Sequence, residues 1–184
     1  MKLVQTIADA ETAKLLADPM RRAILNILRR KALTQAGLAE SLGLTDATVS
    51  HHLNLLRNTG LLSVAKEEVE GHGIVQKFYT PSAYLYVLDV DKLPREVARY
   101  YYPINIERAR GILSALPADG ASRFRGKDVD AIGEEFTRMI VRAAHRYTNV
   151  KVEEGEGEEL VQKMYREALA EVLKITKVDP KSKK

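Results

Sequence analysis

The sequence predicts a mainly α-helical fold with one small β-hairpin, and three local observations carry that reading. Helix-capping residues stand ahead of apolar residues at helical spacing, at Asp18-Pro19, Thr34 and Thr45. A glycine, Gly60, closes the last of these helices. Beyond it, Leu61–Glu68 and Gly73–Thr80 alternate in the strand manner around Glu70-Gly-His-Gly73, which reads as a hairpin with a Gly-rich tip.

Taken in order, Thr6 to Asp18 is expected to form a first helix, with Ile7, Ala10, the Lys14 stem, Leu15 and Leu16 on one face. Asp18 and Pro19 restart the chain. Pro19 to Arg30 follows as a second helix, with Met20, Ile24, Leu25, Ile27 and Leu28 inward and Arg29, Arg30 and Lys31 at the end that suits cations. Thr34 caps a third helix, Gln35 to Leu42, and Gly43-Leu44 makes a tight turn. Thr45 caps a fourth, which runs to about Asn58. A short helix, a glycine turn and a longer capped helix make a helix-turn-helix, and the hairpin after it makes a wing.

Ser82 to Val90 fits either a third strand or an irregular lead-out. Lys92 to Tyr102 and Ile104 to Leu116 are expected as helices parted by Pro103, and 117–127 as a loop in which Arg123, Arg125 and Lys127 alternate with Phe124 and Gly126. Asp128 to Thr148 and Leu160 to Thr176 carry long apolar stripes, separated by an acidic break. The expected organisation is residues 1–90 as a DNA-binding unit and 91–184 as a helical dimerisation and effector region.

Composition narrows the function. Apolar residues make up 45% and charged residues 29%, as in a folded protein. Lys and Arg number 29 against 25 Asp and Glu, an excess split evenly on either side of residue 82, so nucleic-acid affinity must come from how charge is arranged. The chain has no cysteine, which excludes disulfides, thiolate metal sites and cysteine nucleophiles. With few Asn and Gln beside many charged residues, that composition suits a thermophile. Met1 to Asp18 resembles no targeting segment, and no apolar run approaches the ~20 residues of a membrane helix. A cytoplasmic protein is expected.

The fourth helix holds the chemistry. Thr45, Asp46, Ala47, Thr48, Ser50, His51, Asn54 and Arg57 present small or hydrogen-bonding side chains along an exposed front, while Val49, Leu53 and Leu56 face inward. Ser, Thr and Asn can bond base edges or phosphates in a major groove, and Ala can touch a thymine methyl. On the wing, Lys66, His72 and Lys77 are placed for the phosphate backbone or a minor groove.

From Leu16 to Ser82 the chain resembles the ArsR-type winged helix-turn-helix regulators. The resemblance rests on Asp18-Pro-Met-Arg-Arg-Ala-Ile-Leu-Asn-Ile-Leu, Leu38-Ala-Glu-Ser-Leu-Gly-Leu, Thr48-Val-Ser-His-His-Leu-Asn-Leu-Leu and Gly60-Leu-Leu. The remainder looks like the helical extensions of archaeal members. The resemblance implies a homodimeric transcription factor on an inverted repeat, usually a repressor. The chain departs from the metal-sensing members in lacking cysteine on the third helix.

Other residues have two readings. His51 and His52 project about 100° apart on a helix and cannot share a metal. His52 reads as a partly buried core residue. His145 with Asp128, Glu134 or Glu135 is the best metal set available, yet Arg142 and Arg146 beside it oppose a cation, so no metal and no cofactor are expected. Tyr100, Tyr101 and Tyr102 read as a helix end with one or two rings in a core, or as the lining of a small-molecule effector pocket. The two long apolar stripes are expected to pack across a two-fold axis. No nucleophile or phosphate loop is present, so no catalytic residue is assigned. The competing readings for the fourth helix are a winged-helix protein-interaction module and a non-specific architectural DNA binder.

Overall fold

The computed structural model describes residues 1–69, 71–115, 126–153 and 156–175. Its elements are β1 (Lys2–Ile7), α1 (Ala10–Ala17), α2 (Pro19–Arg30), α3 (Gln35–Leu42), α4 (Asp46–Asn58), β2 (Leu62–Val69), a 3₁₀ turn (Gly71–Gly73), β3 (Val75–Pro81), β4 (Ala83–Leu88), α5 (Arg95–Ala98), α6 (Tyr102–Ser114), α7 (Gly126–Arg146) and α8 (Gly157–Ile175). The architecture is mainly helical with a small antiparallel hairpin, a winged helix-turn-helix followed by helices.

Local capping accounts for the start of each early helix. Asp9 accepts from the Thr12 N–H at 2.8 Å, Asp18 from Arg21 at 2.9 Å, Thr34 from Gly37 at 3.1 Å and Thr45 from Thr48 at 3.2 Å. Each bond satisfies a donor that a helix start would otherwise leave orphaned, an effect of about 1 kcal/mol. At the far end of α4, Gly60 takes φ +69°, which a side chain would resist. The N–H of Leu61 then turns back to the Leu56 carbonyl at 2.9 Å, and the chain leaves as a strand.

The N-terminus departs from expectation. Residues 2–7 are a strand, and the first helix begins only at Ala10. β1 runs parallel to β4, with Lys2 opposite Ala83 and Ile7 opposite Leu88, so the whole helix-turn-helix and wing form the crossover between them. Its other edge meets the 150–152 segment, where the Leu3 N–H bonds the Val150 carbonyl at 2.8 Å. The strand shows no alternation because apolar residues on both faces are buried. Leu3 joins a cluster with Val152 and Val161, Val4 packs with α7 and α8, and Ile7 reaches the core of the helix-turn-helix. This pairing also settles 82–90, since its central part is β4.

The wing is β2 against β3, antiparallel, with an irregularity between Val64 and Lys66. Tyr79 donates its N–H to the Leu33 carbonyl at 2.9 Å, which anchors the hairpin to the α2–α3 connection. The first core gathers Ile24, Leu28, Leu38, Val49, Leu53, Leu56 and Leu61, all nearly inaccessible. Each such side chain contributes roughly 1.5–3 kcal/mol of transfer free energy.

Past residue 90 the expected helix 92–102 shrinks to the single turn of α5, and Pro103 lies in the first turn of α6, where its missing N–H costs nothing. The loop expected at 117–127, with Arg123 and Arg125, lies outside the described residues except for its last two, which begin α7. The acidic break lies partly outside them, and the Lys-rich end 181–184 wholly so. The stripes on α7 and α8 do not await a second copy. Ile132, Phe136, Met139, Ile140 and Ala143 are buried with Met164, Ala168 and Val172 of α8, Leu113 of α6, and Val4 and Val87 of the parallel strand pair. That strand pair supplies the apolar surface which a winged helix alone lacks.

Candidate nucleic-acid interface

α4 separates two faces cleanly. Val49, Leu53 and Leu56 are buried, whereas Asp46, Ala47, Thr48, His51, Asn54 and Arg57 are exposed and Ser50 is half-buried. Thr45, the cap, is exposed as well. The 3.6-residue period puts the polar set on one front, and the core fixes which side faces out. Thr45 and Thr48 also share a hydroxyl–hydroxyl bond at 2.9 Å. Gln35, the first residue of α3, donates its Nε2 to the Asp46 carbonyl at 3.2 Å and ties the two helices at the entrance of the front. Gln35 was not among the expected site residues. Its position directly after a cap was the one available sign.

His52 points away from that front. It is half-buried, and its Nδ1 is buried without a hydrogen-bond partner. Burial pushes the imidazole below its ordinary value, with Asp18 pulling the other way and Arg21 and His51 adding to the depression. His51 lies edge-on to it, ring centres 5.8 Å apart. Partial burial works against ionisation of Asp18, yet the Arg21 backbone N–H and guanidinium hold its carboxyl below the usual range. Asp18 thus caps the start of α2, with His52 on the side of α4 away from the polar front.

The wing carries its charges in pairs. Lys66 Nζ lies 2.5 Å from Glu68 Oε1 and 4.3 Å from the centre of the Phe78 ring, and Lys77 Nζ lies 3.5 Å from Glu67 Oε1. All four charged residues are exposed, so the pairs are weak, worth about 0–1 kcal/mol, and can exchange partners. Glu67 stands directly opposite Lys77 in the register. Reading the hairpin as a ladder rather than as two strands would have shown that pairing. The side chain of His72 lies outside the described residues. Toward the tip, Val69, Ile74 and Val75 are exposed apolar residues, Val69 at 72%.

The three tyrosines do not converge. Tyr100 is 61% exposed beneath the Arg99 guanidinium, while Tyr102 is half-buried against the first core. Tyr101 is buried and donates its hydroxyl to the Ala13 carbonyl at 2.5 Å. Of the three, Tyr101 alone lines a cleft between α2, β4, α6 and α7. Glu134 and Glu135 both turn to Arg138, at 3.6 and 3.2 Å, so these two carboxylates of the suggested metal set serve an arginine, and the side chain of Asp128 lies outside the described residues. Among the described residues, no helix is long and apolar enough to cross a membrane.

Comparison with known proteins finds a family match over this same segment. Residues 18–64 match the family described as "Bacterial regulatory protein, arsR family". The HTH-type transcriptional regulator NmtR of Mycobacterium tuberculosis is 45% identical over 53 residues, 29% of this chain and 44% of NmtR. The transcriptional repressor SdpR of Bacillus subtilis is 36% identical over 50 residues, 27% of this chain and 56% of SdpR. The chain thus spans about half the length of the curated relatives it matches. A crystal structure of Bacillus subtilis PadR in complex with operator DNA covers 88% of this chain and 100% of its own, at 14% identity and a TM-score of 0.32, a likeness too distant to bear on this molecule. It is over residues 18–64, from the Asp18 cap through α4 and into the wing, that the chain is similar to the arsR family of bacterial regulators.

Proposed function

We propose that this protein is a DNA-binding transcriptional regulator that acts as a repressor, with two copies binding an inverted repeat. The observation that carries the reading is α4 itself. Its apolar back is held in a core while Thr48, His51 and Asn54 stand clear on a capped, exposed front with the half-buried Ser50 beside them. A front of that shape and chemistry suits base edges in a major groove. The arsR match over 18–64, and relatives named as a transcriptional regulator and a repressor, support it. In this reading Asp46, Ala47, Thr48, Ser50, His51, Asn54 and Arg57 read the site. Thr45 orders the helix start, and Lys66, His72 and Lys77 position the protein on the backbone. Residues 1–90 bind DNA, and residues 91–184 carry dimerisation and effector response.

The test is protection of the protein's own upstream DNA at rising salt, with sedimentation at micromolar concentration alongside. A protected palindrome and a dimeric species are the expected results. Protection spread evenly along the DNA points to an architectural binder, and a monomer removes the dimeric reading. A second reading, a protein-interaction module, is favoured by the paired wing lysines and by the exposed Val69, Ile74 and Val75 that flank its tip. Absence of binding even at low salt would select that alternative.

A further inference from the structure

We infer that the cleft between α2, β4, α6 and α7 binds a small organic anion, an apolar body carrying a carboxylate or phosphate head. The cleft has a volume of about 260 Å³, just below the roughly 300–1,000 Å³ usual for small-molecule sites. Its floor is apolar and drawn from three elements, with Leu25 of α2, Val87 of β4 and Ile140 of α7 all buried. Its polar side is cationic: Arg22 and Arg29 come from α2 and Arg108 from α6, and among the described residues no Asp or Glu lines the space.

Those arginines have charge to spare. Among the described residues none of the three forms an ion pair, whereas Arg21, Arg110, Arg138 and Arg146 each hold a carboxylate. Arg29 is also oriented in advance. Its guanidinium donates to Asn26 Oδ1 at 2.8 Å and lies 4.9 Å from the centre of the Tyr84 ring. A planar fork held in place matches carboxylate and phosphate oxygens at little further entropic cost. Arg22 and Arg108 are exposed and Arg29 is half-buried, so the three like charges sit at the mouth of the concave space, where they attract an anion. An inorganic anion would leave the Leu25–Val87–Ile140 floor wet, and a neutral apolar ligand would leave the arginines unanswered. An amphiphilic anion satisfies both halves. Because the cleft joins α2 to α6 and α7, such a ligand would serve as the effector of the regulator proposed above, and that consequence rests on that reading. The binding itself does not.

Calorimetry on the full chain, without DNA, tests the site with octanoate, octyl phosphate and octylamine. At least one of the two anions is expected to bind, its identity assigning the head group, and octylamine is expected not to. Arg22→Gln, Arg29→Gln and Arg108→Gln, each checked for an unchanged melting curve, are expected to weaken anion binding by roughly tenfold or more. The inference is overturned if neither anion binds at millimolar concentration, if octylamine binds as tightly as the anions, or if all three variants bind unchanged. DNA protection is measured separately. Anion binding without protected DNA keeps this site and sinks the regulator, whereas protected DNA without anion binding does the reverse.

Discussion

At the scale of single residues, two half-buried groups make the stability of the fold depend on pH. His52 has its imidazole depressed below 6.5 by burial. The unfolded chain therefore takes up that proton more readily, so this contribution is complete above about pH 6.5 and is lost as pH falls through that value. Urea titrations from pH 7.5 to 5 should show stability declining, and His52→Gln should flatten the decline. Tyr86 works from the alkaline side. Its hydroxyl donates to the Leu61 carbonyl at 2.5 Å and accepts from the Ala83 N–H at 3.3 Å, and burial pushes its pKa up to about 12. Its neutral form is kept where the unfolded side chain would ionise, so its contribution holds below pH 10 and is lost between pH 10 and about 12. Tyr86→Phe removes the acceptor of the Ala83 N–H and one of two donors to the Leu61 carbonyl, which keeps the Ser82 N–H at 3.0 Å. It should cost about 1–3 kcal/mol at neutral pH by chemical denaturation. At the exposed front, Ser50→Ala and His51→Ala should each weaken specific DNA binding by about 1–3 kcal/mol with stability unchanged. Unaltered affinity in both would remove the base-contact assignment.

Elements show why some of this chain was readable. α2, α3 and α4 begin where Asp18, Thr34 and Thr45 stand, because a cap acts through a side chain only three residues from the N–H it satisfies. Nothing so local marks β1. Its partners are β4 and the 150–152 segment, and both of its faces are covered, so neither alternation nor a nearby turn betrays it. The same limit explains Tyr100 to Tyr102, where three adjacent rings were divided among surface, core and cleft by contacts with distant helices. On the wing, the register pairs Glu67 with Lys77, while the two-residue period of β2 sets Glu68 beside Lys66 on one face. Glu67→Gln with Glu68→Gln should free both lysines and steepen the salt dependence of DNA binding by about one unit per lysine. An unchanged slope would place the wing away from phosphate. Between α6 and α7, a Cβ on Gly133 would lie 3.0 Å from the Ile106 Cα, so Gly133→Ala must spread that crossing. A lower melting temperature is expected there despite alanine's better helix propensity.

For the whole molecule, the parallel β1–β4 pair is the joint. It touches the helix-turn-helix core through Ile7, the α7–α8 core through Val4 and Val87, and a third cluster through Leu3. Leu3 is fully buried, and Leu3→Ala should cost about 2–5 kcal/mol, with the whole chain losing stability in one transition. Separate melting of the two halves would show that the strand pair does not couple them. The coupling bears on function as well, since the arginine-lined cleft lies along β4 and is walled by α2 on one side and α6 and α7 on the other.

By itself the order of residues determined the three capped helices, their inward faces, the wing and the polar front of α4, because each depends on interactions within a few residues or on one helical period. The β1–β4 pairing, the intramolecular burial of the α7 and α8 stripes and the meeting of Arg22, Arg29 and Arg108 were decided only by the tertiary structure. Their partners lie far apart along the chain. They come together because a winged helix too small to bury long amphipathic helices must borrow apolar surface from the N-terminal strand.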